Sequence, residues 1–353
     1  MPSIRKIAEQ AGVSISTVSR ALNNEGLVSP ETRKLILSIA NRNGYVAKMG
    51  RRITTNVALA FTQEITVAHA FDSAVLAGVM RGLDEGRFNL VLLNMQRDKE
   101  VGENYTQFFM RKGVRGVLLR TTLDSRMVCQ AIADEGFPHV VISERISTPR
   151  VNYVDCDSKA DTIRAMNYLV SLGHRRIAFA LHTVPDQDHA DRLEGYREGL
   201  ARNELPFDEN LVLRHRNGLA GGETVMEVAM SMRPRPTAIF FADPLLAIGA
   251  VNKAHMLGVR IPQDMSIVGF DDTNIRHSVY PPLTAVCQDA TTLGFEAALW
   301  LTRVLTGAVR GNLRKTIATS FEVNQSTGPA PTDVAEPVAL SGRRTRAAAR
   351  PAP

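Results

Sequence analysis

Cysteine is scarce in this chain: three residues in 353, at positions 129, 156 and 287, with no Cys-x-x-Cys pair among them. That spacing excludes a disulfide scaffold and a thiolate zinc site, and it fits a reducing cytoplasm. Long apolar runs are absent too; none reaches the ~18 residues that a membrane-spanning helix needs. The start, Met1 to Lys6, has no apolar stretch of the secretory type, so neither export nor a membrane partner is expected. Catalytic loops are missing as well. There is no Gly-x-x-x-x-Gly-Lys-Ser/Thr phosphate loop and no Gly-x-Gly-x-x-Gly opening a helix. No Ser-His-Asp or paired-acid set can be assigned either, so no enzyme, cofactor or metal is expected. The polar group His182, Asp186, Asp188 and His189 lacks a helical His-x-x-x-His pair and reads as a loop lining a cleft mouth.

What is present is an ordinary globular composition, 44% hydrophobic and 22% charged, in a chain long enough for two or three domains. The formal net charge is +6, and it is unevenly spread. Residues 1–52 hold nine Lys/Arg against three Asp/Glu, whereas the remainder nearly balances. A basic excess confined to one end calls for a polyanionic partner, nucleic acid first.

That end reads as short helices over 5–10, 16–23 and 30–43. Ser29 stands at an N-cap position, Pro30 at the first helical position and Glu31 in the first turn. The segment Ile4 to Leu22 fits a helix-turn-helix. Ala8 is small where two helices must approach, and Gly12 supplies the permissive turn. Ser14 can cap the second helix, and Ile7, Ala11, Val13, Val18 and Ala21 fall on inward positions. The outward face is Ile15, Ser16, Thr17, Ser19, Arg20 and Asn23, short and rich in hydrogen-bonding groups, as a helix lying in a major groove requires.

A polar linker covers 47–56. Beyond it, apolar runs at 57–61, 90–93, 116–119, 140–142, 177–181, 238–241 and 266–270 alternate with helical patterns. Such alternation predicts parallel sheets with crossover helices, and this many units predict two doubly wound lobes with a ligand cleft at the strand carboxyl ends. The expected division is a helical DNA-binding head over 1–46, a linker or hinge over 47–56, a two-lobed ligand-binding body over 57–324 and a disordered Pro/Ala/Arg-rich tail over 325–353.

The stretch from Ile7 to Asn23, followed by Val28-Ser29-Pro30-Glu31-Thr32-Arg33, resembles the signature of the LacI/GalR family of bacterial transcriptional repressors. Leu172 to Ala178, Arg192 to Tyr196, Val268 to Asp272 and Pro281 to Thr284 resemble later elements of that family, so the likeness spans about residues 3–324. The resemblance implies a helical head on a body like that of periplasmic binding proteins. It also implies a cytoplasmic homodimer that reads a near-palindromic double-stranded operator under the control of a small effector, a sugar or sugar derivative. By position, Ile15, Ser16 and Arg20 become base readers. Thr17, Ser19, Asn23, Ser29 and Thr32 become phosphate contacts, with Lys48 and Arg51 in the linker. The linker departs from the family's longer hinge with its Leu-Ala-x-x-Leu wedge; either Met49 or Ile53 takes the wedge's place or DNA is bent less.

For the effector, the needs of a hydroxylated ligand select Gln63, Phe71, Arg145, Arg192, Asp243 and Asp271. Arg192 offers a rigid donor fork, Phe71 a stacking face, and Asp243 and Asp271 follow strands. Arg120, after the run 116–119, is a further candidate. Asp243-Pro244 stands where the family commonly has Asn-Asp, which indicates either a more cationic ligand or a helix cap. The competing reading is a cytoplasmic or transport-type sugar-binding protein that does not read DNA sequence.

Overall fold

The computed structural model of the chain describes residues 3–22, 28–43, 54–63, 67, 69–183, 186–216 and 218–332. Three helices come first: α1 (Ile4–Ala11), α2 (Ile15–Leu22) and α3 (Pro30–Arg42). They close around Ile7, Ala8, Val18, Ala21, Ile36, Ile39 and Ala40, with the inward positions Ala11 and Val13 partly buried against that set. Gly12 ends α1 in the left-handed region at φ +63°, and Val13 N–H donates back to Ala8 O at 3.1 Å. Ser14 Oγ then accepts Thr17 N–H at 3.0 Å and so starts α2. Ser29 Oγ does the same for Thr32 N–H at 3.2 Å in α3.

The first lobe is built from β1 (Asn56–Phe61), α4 (Ala70–Leu83), β2 (Asn89–Asn94), α5 (Met95–Asp98), α6 (Tyr105–Arg111), β3 (Val114–Arg120), α7 (Arg126–Asp134), β4 (His139–Ile142) and β5 (Tyr153–Asp157). The chain crosses to the second lobe through α8 (Lys159–Ser171). There follow β6 (Ile177–His182), α9 (Gln187–Arg202), β7 (Val212–His215), α10 (Leu219–Ser231), β8 (Ala238–Phe241), α11 (Pro244–Met256), β9 (Ser266–Asp271) and β10 (Thr284–Cys287). It returns with α12 (Ala290–Thr306) and β11 (Arg314–Ala318) to the first lobe, and β12 (Ser320–Glu322) completes the second. The sheet orders are β11-β5-β4-β3-β1-β2 and β12-β10-β9-β8-β6-β7. Every pairing is parallel except β10 with β12. This is the expected pair of doubly wound lobes.

The central strands are buried on both faces, which is why they read as unbroken apolar runs. In the first lobe α12 lies against α4 at backbone distance. A Cβ on Gly78 would stand 1.9 Å from Thr291 O, and one on Gly294 2.1 Å from Val75 O. Among the described residues no helix is long and apolar enough to cross a membrane.

Two expected boundaries move. Thr54 and Asn56 belong to the first lobe rather than to the hinge: Thr54 Oγ1 donates to Gly113 O at 2.5 Å, and Asn56 opens β1. The tail does not begin at 325. Ser326 is fully buried, its Oγ accepting Thr284 N–H at 2.8 Å and donating to Ile267 O at 2.5 Å, and Gly328 O sits 3.1 Å from the ring of buried His174. Polar side chains that close a buried network look, in sequence, like a solvated linker.

Candidate functional site

On the helical head, Ile15, Ser16 and Arg20 of α2 are exposed on one side, and Ile15 keeps 45% of its surface open to solvent. Thr17 and Ser19 are half-buried at the edges of that face. Ser14 Oγ bonds both Ser16 Oγ and Thr17 Oγ1 at 2.8 Å, a hydroxyl cluster at the positive end of the helix, where a phosphate is favoured. Ser29, exposed, and Thr32, half-buried, form a second such pair, 3.0 Å apart. The expected contacts at Asn23, Lys48 and Arg51 lie outside the described residues, as does most of the hinge.

Between the lobes, at the carboxyl ends of both sheets, lies a cavity of about 110 Å3. The first lobe contributes His69, Phe71, Asp72 and Arg120; the second contributes His182, Asp186, Asp188, His189, Arg192, Asp243, Asp272 and Gln288. Of the six residues expected to bind effector, Phe71, Arg192 and Asp243 meet here. Arg120 stacks over the Phe71 ring at 4.8 Å and pairs with Asp72 at 2.7 Å. Arg192 is 3% exposed; it lies 3.5 Å over the Phe270 ring and donates to Ala242 O at 2.6 Å, while its Nε has no partner.

The other three are placed elsewhere. Gln63 turns to Thr122 and Ser125 at 2.9 and 3.2 Å. Arg145 pairs with Asp191, with Asp155 at 3.2 Å and with Asp157 at 3.5 Å. Asp271 accepts Thr273 and Ile275 N–H at 3.1 Å and pairs with Arg276 at 2.6 Å, so it shapes the loop after β9. Its neighbour Asp272 faces the cavity instead, accepting from Gln288 Nε2 at 2.6 Å. Asp271 borders a second opening of about 490 Å3, which meets the cavity at Asp272 and Gln288.

The group expected to be a loop is a strand end and a helix start. His182 ends β6, Asp186 caps α9 by accepting His189 N–H at 2.8 Å, and Asp188 and His189 fill its first turn. Ligand atoms of His182, Asp186 and His189 come within 4.8 Å of one another, yet both His189 nitrogens are already held by carboxylates, Nδ1 by Asp186 at 2.7 Å and Nε2 by Asp243 at 3.0 Å. Burial works against charge on this ring, but Asp186 and Asp243 outweigh it and push its pKa up to about 10. His182 is held below its ordinary value by burial and by the His189 charge. Asp243 stands at the N-cap of α11 without capping it through its side chain, so the helix-cap role is withdrawn; its carboxylate serves His189 and His182 N–H.

A polar seam joins the lobes beside the cavity. Ser143 Oγ donates to Asp188 at 2.7 Å, and Gln187 N–H donates to Glu144 at 2.9 Å. Arg126 bridges Glu144 at 2.8 Å and Gln187 at 2.5 Å. Burial lifts Glu144 to about 7, and burial with Asp188 nearby lifts Asp155 to about 8.

A helix-turn-helix head carried on a two-lobed body with a polar interlobe cleft defines a class: transcriptional regulators with a periplasmic-binding-protein-like ligand domain. Residues 3–48 match the model of bacterial regulatory proteins of the lacI family, and residues 166–327 match the periplasmic binding protein-like domain. The transcriptional regulator CelR of Thermobifida fusca is 30% identical over 334 residues, covering 92% of this chain and 98% of that one. DegA of Bacillus subtilis (strain 168), also a transcriptional regulator, is 29% identical over 336 residues, covering 93% and 98%. A solved structure of a CelR–cellobiose complex superposes with a TM-score of 0.66 at 30% identity, covering 92% of this chain and all of that one. The chain belongs to the LacI family and is a transcriptional regulator.

Proposed function

We propose that the protein is a cytoplasmic, dimeric repressor that reads a near-palindromic operator with α2 and is controlled by a sugar or sugar derivative bound between its lobes. The observation that carries the reading is the exposed Ile15–Ser16–Arg20 face on a helix capped by Ser14, in one chain with the Phe71–Arg192–Asp243 cavity. Arg20 donates two hydrogen bonds to a guanine edge, and Ile15 meets a thymine methyl. Thr17, Ser19, Ser29 and Thr32 hold phosphates, with Asn23, Lys48 and Arg51 in the same role, and these set register. Exposed Leu219, Val228 and Met256 on α10 and α11 supply apolar surface for a second copy. The cellobiose in the CelR complex supports a carbohydrate effector.

Thr54 ties the segment after the hinge to the first lobe, so a change at the interlobe seam is transmitted to the head. Effector acts only by its differential affinity for two lobe arrangements. The test is gel shift of the full chain on DNA upstream of its own gene, with and without each of a panel of sugars and sugar derivatives. Retention of that DNA over scrambled competitor, with release by sugar, is expected. Equal affinity for both DNAs, with tight sugar binding, favours a sugar-binding protein instead.

A further inference from the structure

The interlobe cavity holds more negative than positive charge. Among the described residues that line it, Asp72, Asp186, Asp188, Asp243 and Asp272 face Arg120, Arg192 and a protonated His189. The pairs Asp72–Arg120 and Asp186–His189–Asp243 consume two of those cations. Arg192 is left for both Asp188 and Asp272. Burial lifts the pKa of Asp188 and holds that of Asp272 up at about 6, with Arg192 only partly offsetting the rise. Buried negative charge without a matching cation is costly, and a ligand that brings the cation relieves it.

A second observation marks where that cation goes. Gln288 is 6% exposed and lines the cavity; its Nε2 is spent on Asp272, and its Oε1 is a buried acceptor with no partner. Asp272 and the Gln288 carbonyl therefore form a patch of acceptors at the junction of the cavity with the adjoining opening. Across the cavity Arg192 Nε is a buried donor with no partner. A neutral polyol satisfies the donor but leaves the charge imbalance. A polyol bearing an ammonium group satisfies the donor and cuts the excess from two negative charges to one.

Resting on the reading of this cavity as the effector site, we propose that the effector is a polyhydroxylated amine, of the amino-sugar class, whose ammonium sits against Asp272 and the Gln288 carbonyl while a hydroxyl oxygen accepts from Arg192. Asp272 and Gln288 are then the residues that select amine over hydroxyl.

The test is calorimetric titration of the full-length chain at pH 7 with glucosamine, N-acetylglucosamine and glucose. Glucosamine is expected to bind about tenfold or more tightly than either neutral sugar. Asp272→Asn, which keeps size and shape, should weaken glucosamine at least about tenfold more than it weakens glucose and so remove that preference; Gln288→Leu should reduce the preference in part. Glucose or N-acetylglucosamine binding as tightly as glucosamine, and weakened by Arg192→Ala, overturns the amine while the effector cleft stands. Binding that ignores Arg192→Ala overturns the cleft reading itself. Absence of binding by all three sugars, or a preference that survives Asp272→Asn, also overturns the proposal.

Discussion

His189 Nε2 donates to Asp243 Oδ1 across 3.0 Å, joining the first turn of α9 to the residue that follows β8, 54 positions further on. With Asp186 on the other nitrogen the ring is a buried cation between two carboxylates, and its pKa rises from 6.5 to about 10. The folded chain thus keeps a proton that the unfolded chain gives up above pH 6.5.

The stability this contributes is complete below pH 6.5 and is lost as pH climbs through 10, to no more than about 5 kcal/mol. Raised Glu144, Asp155 and Asp272 also cost stability as pH rises, but their windows close near pH 8. The melting temperature should therefore keep falling above pH 8, where the Cys129, Cys156 and Cys287 thiols, pushed up by burial, add their own loss, and His189→Gln should make the fall between pH 8 and 10 shallower. Parallel curves for the two proteins between pH 8 and 10 would remove the ion triad.

Arg145 ties the loop after β4 to α9 through Asp191, and it also faces Asp155, which is fully buried. Removing the arginine takes a cation from three acids, Asp155, Asp157 and Asp191, the first of them deep in the protein. Removing Asp191 strands none, because Asp155 and Asp157 still hold the guanidinium. Arg145→Ala should thus cost about 3 kcal/mol and Asp191→Ala nearer 1 kcal/mol in denaturant unfolding. Equal costs would mean that Asp155 does not depend on Arg145.

The head and the sheet cores were legible because each obeys one periodicity. The helix-turn-helix reads from its glycine, its serine cap and its inward apolar positions. β1, β3, β4, β6, β8 and β9 read from unbroken apolar runs. β5, with Asp155 and Asp157 among its residues, and the edge strand β11, beginning Arg314-Lys315, carry charge and hid from that signal. In the cleft, Phe71 and Arg192, which stand on α4 and α9, were legible from their chemistry, and Asp243 from its place after a strand. Asp271 follows the apolar run and so draws the eye, but successive side chains at a strand end point to opposite sides, and sequence does not reveal that Asp272 is the one facing the cleft. Gln288 and the clamp on His189 depend on partners brought together by the fold from far along the chain. Gln63 and Arg145 are held outside the cleft by partners far along the chain, Thr122 and Ser125 for the one and Asp191 for the other, which no spacing rule foretells.

Gly78 and Gly294 let α4 and α12 touch backbone to backbone. A methyl group at 78 would collide with Thr291 O at 1.9 Å and with Phe295 N at 2.8 Å, neither of which can turn aside. Gly78→Ala should destabilise the first lobe by about 2–3 kcal/mol despite the better helix propensity of alanine. A melting temperature equal to that of the parent chain would show that the helices stand further apart.

Arg20 lies in the last turn of α2, exposed beside Ser16, whereas Ser29 and Thr32 sit at the start of α3. The two groups should fail differently. A guanidinium that forks onto a guanine edge contributes about 1–3 kcal/mol of discrimination, so Arg20→Ala should weaken operator binding roughly tenfold to hundredfold. Its effect on random duplex should be that of one lost cation, a modest loss that fades as salt rises. Ser29→Ala removes a helix cap and, on the proposed reading, a phosphate contact, and should weaken both duplexes by similar factors. Fluorescence anisotropy with an operator selected from random DNA, and with its scrambled form, at two salt concentrations separates these patterns. An Arg20→Ala protein that loses the same factor on both duplexes would move Arg20 to the phosphate backbone and leave base reading to Ile15 and Ser16.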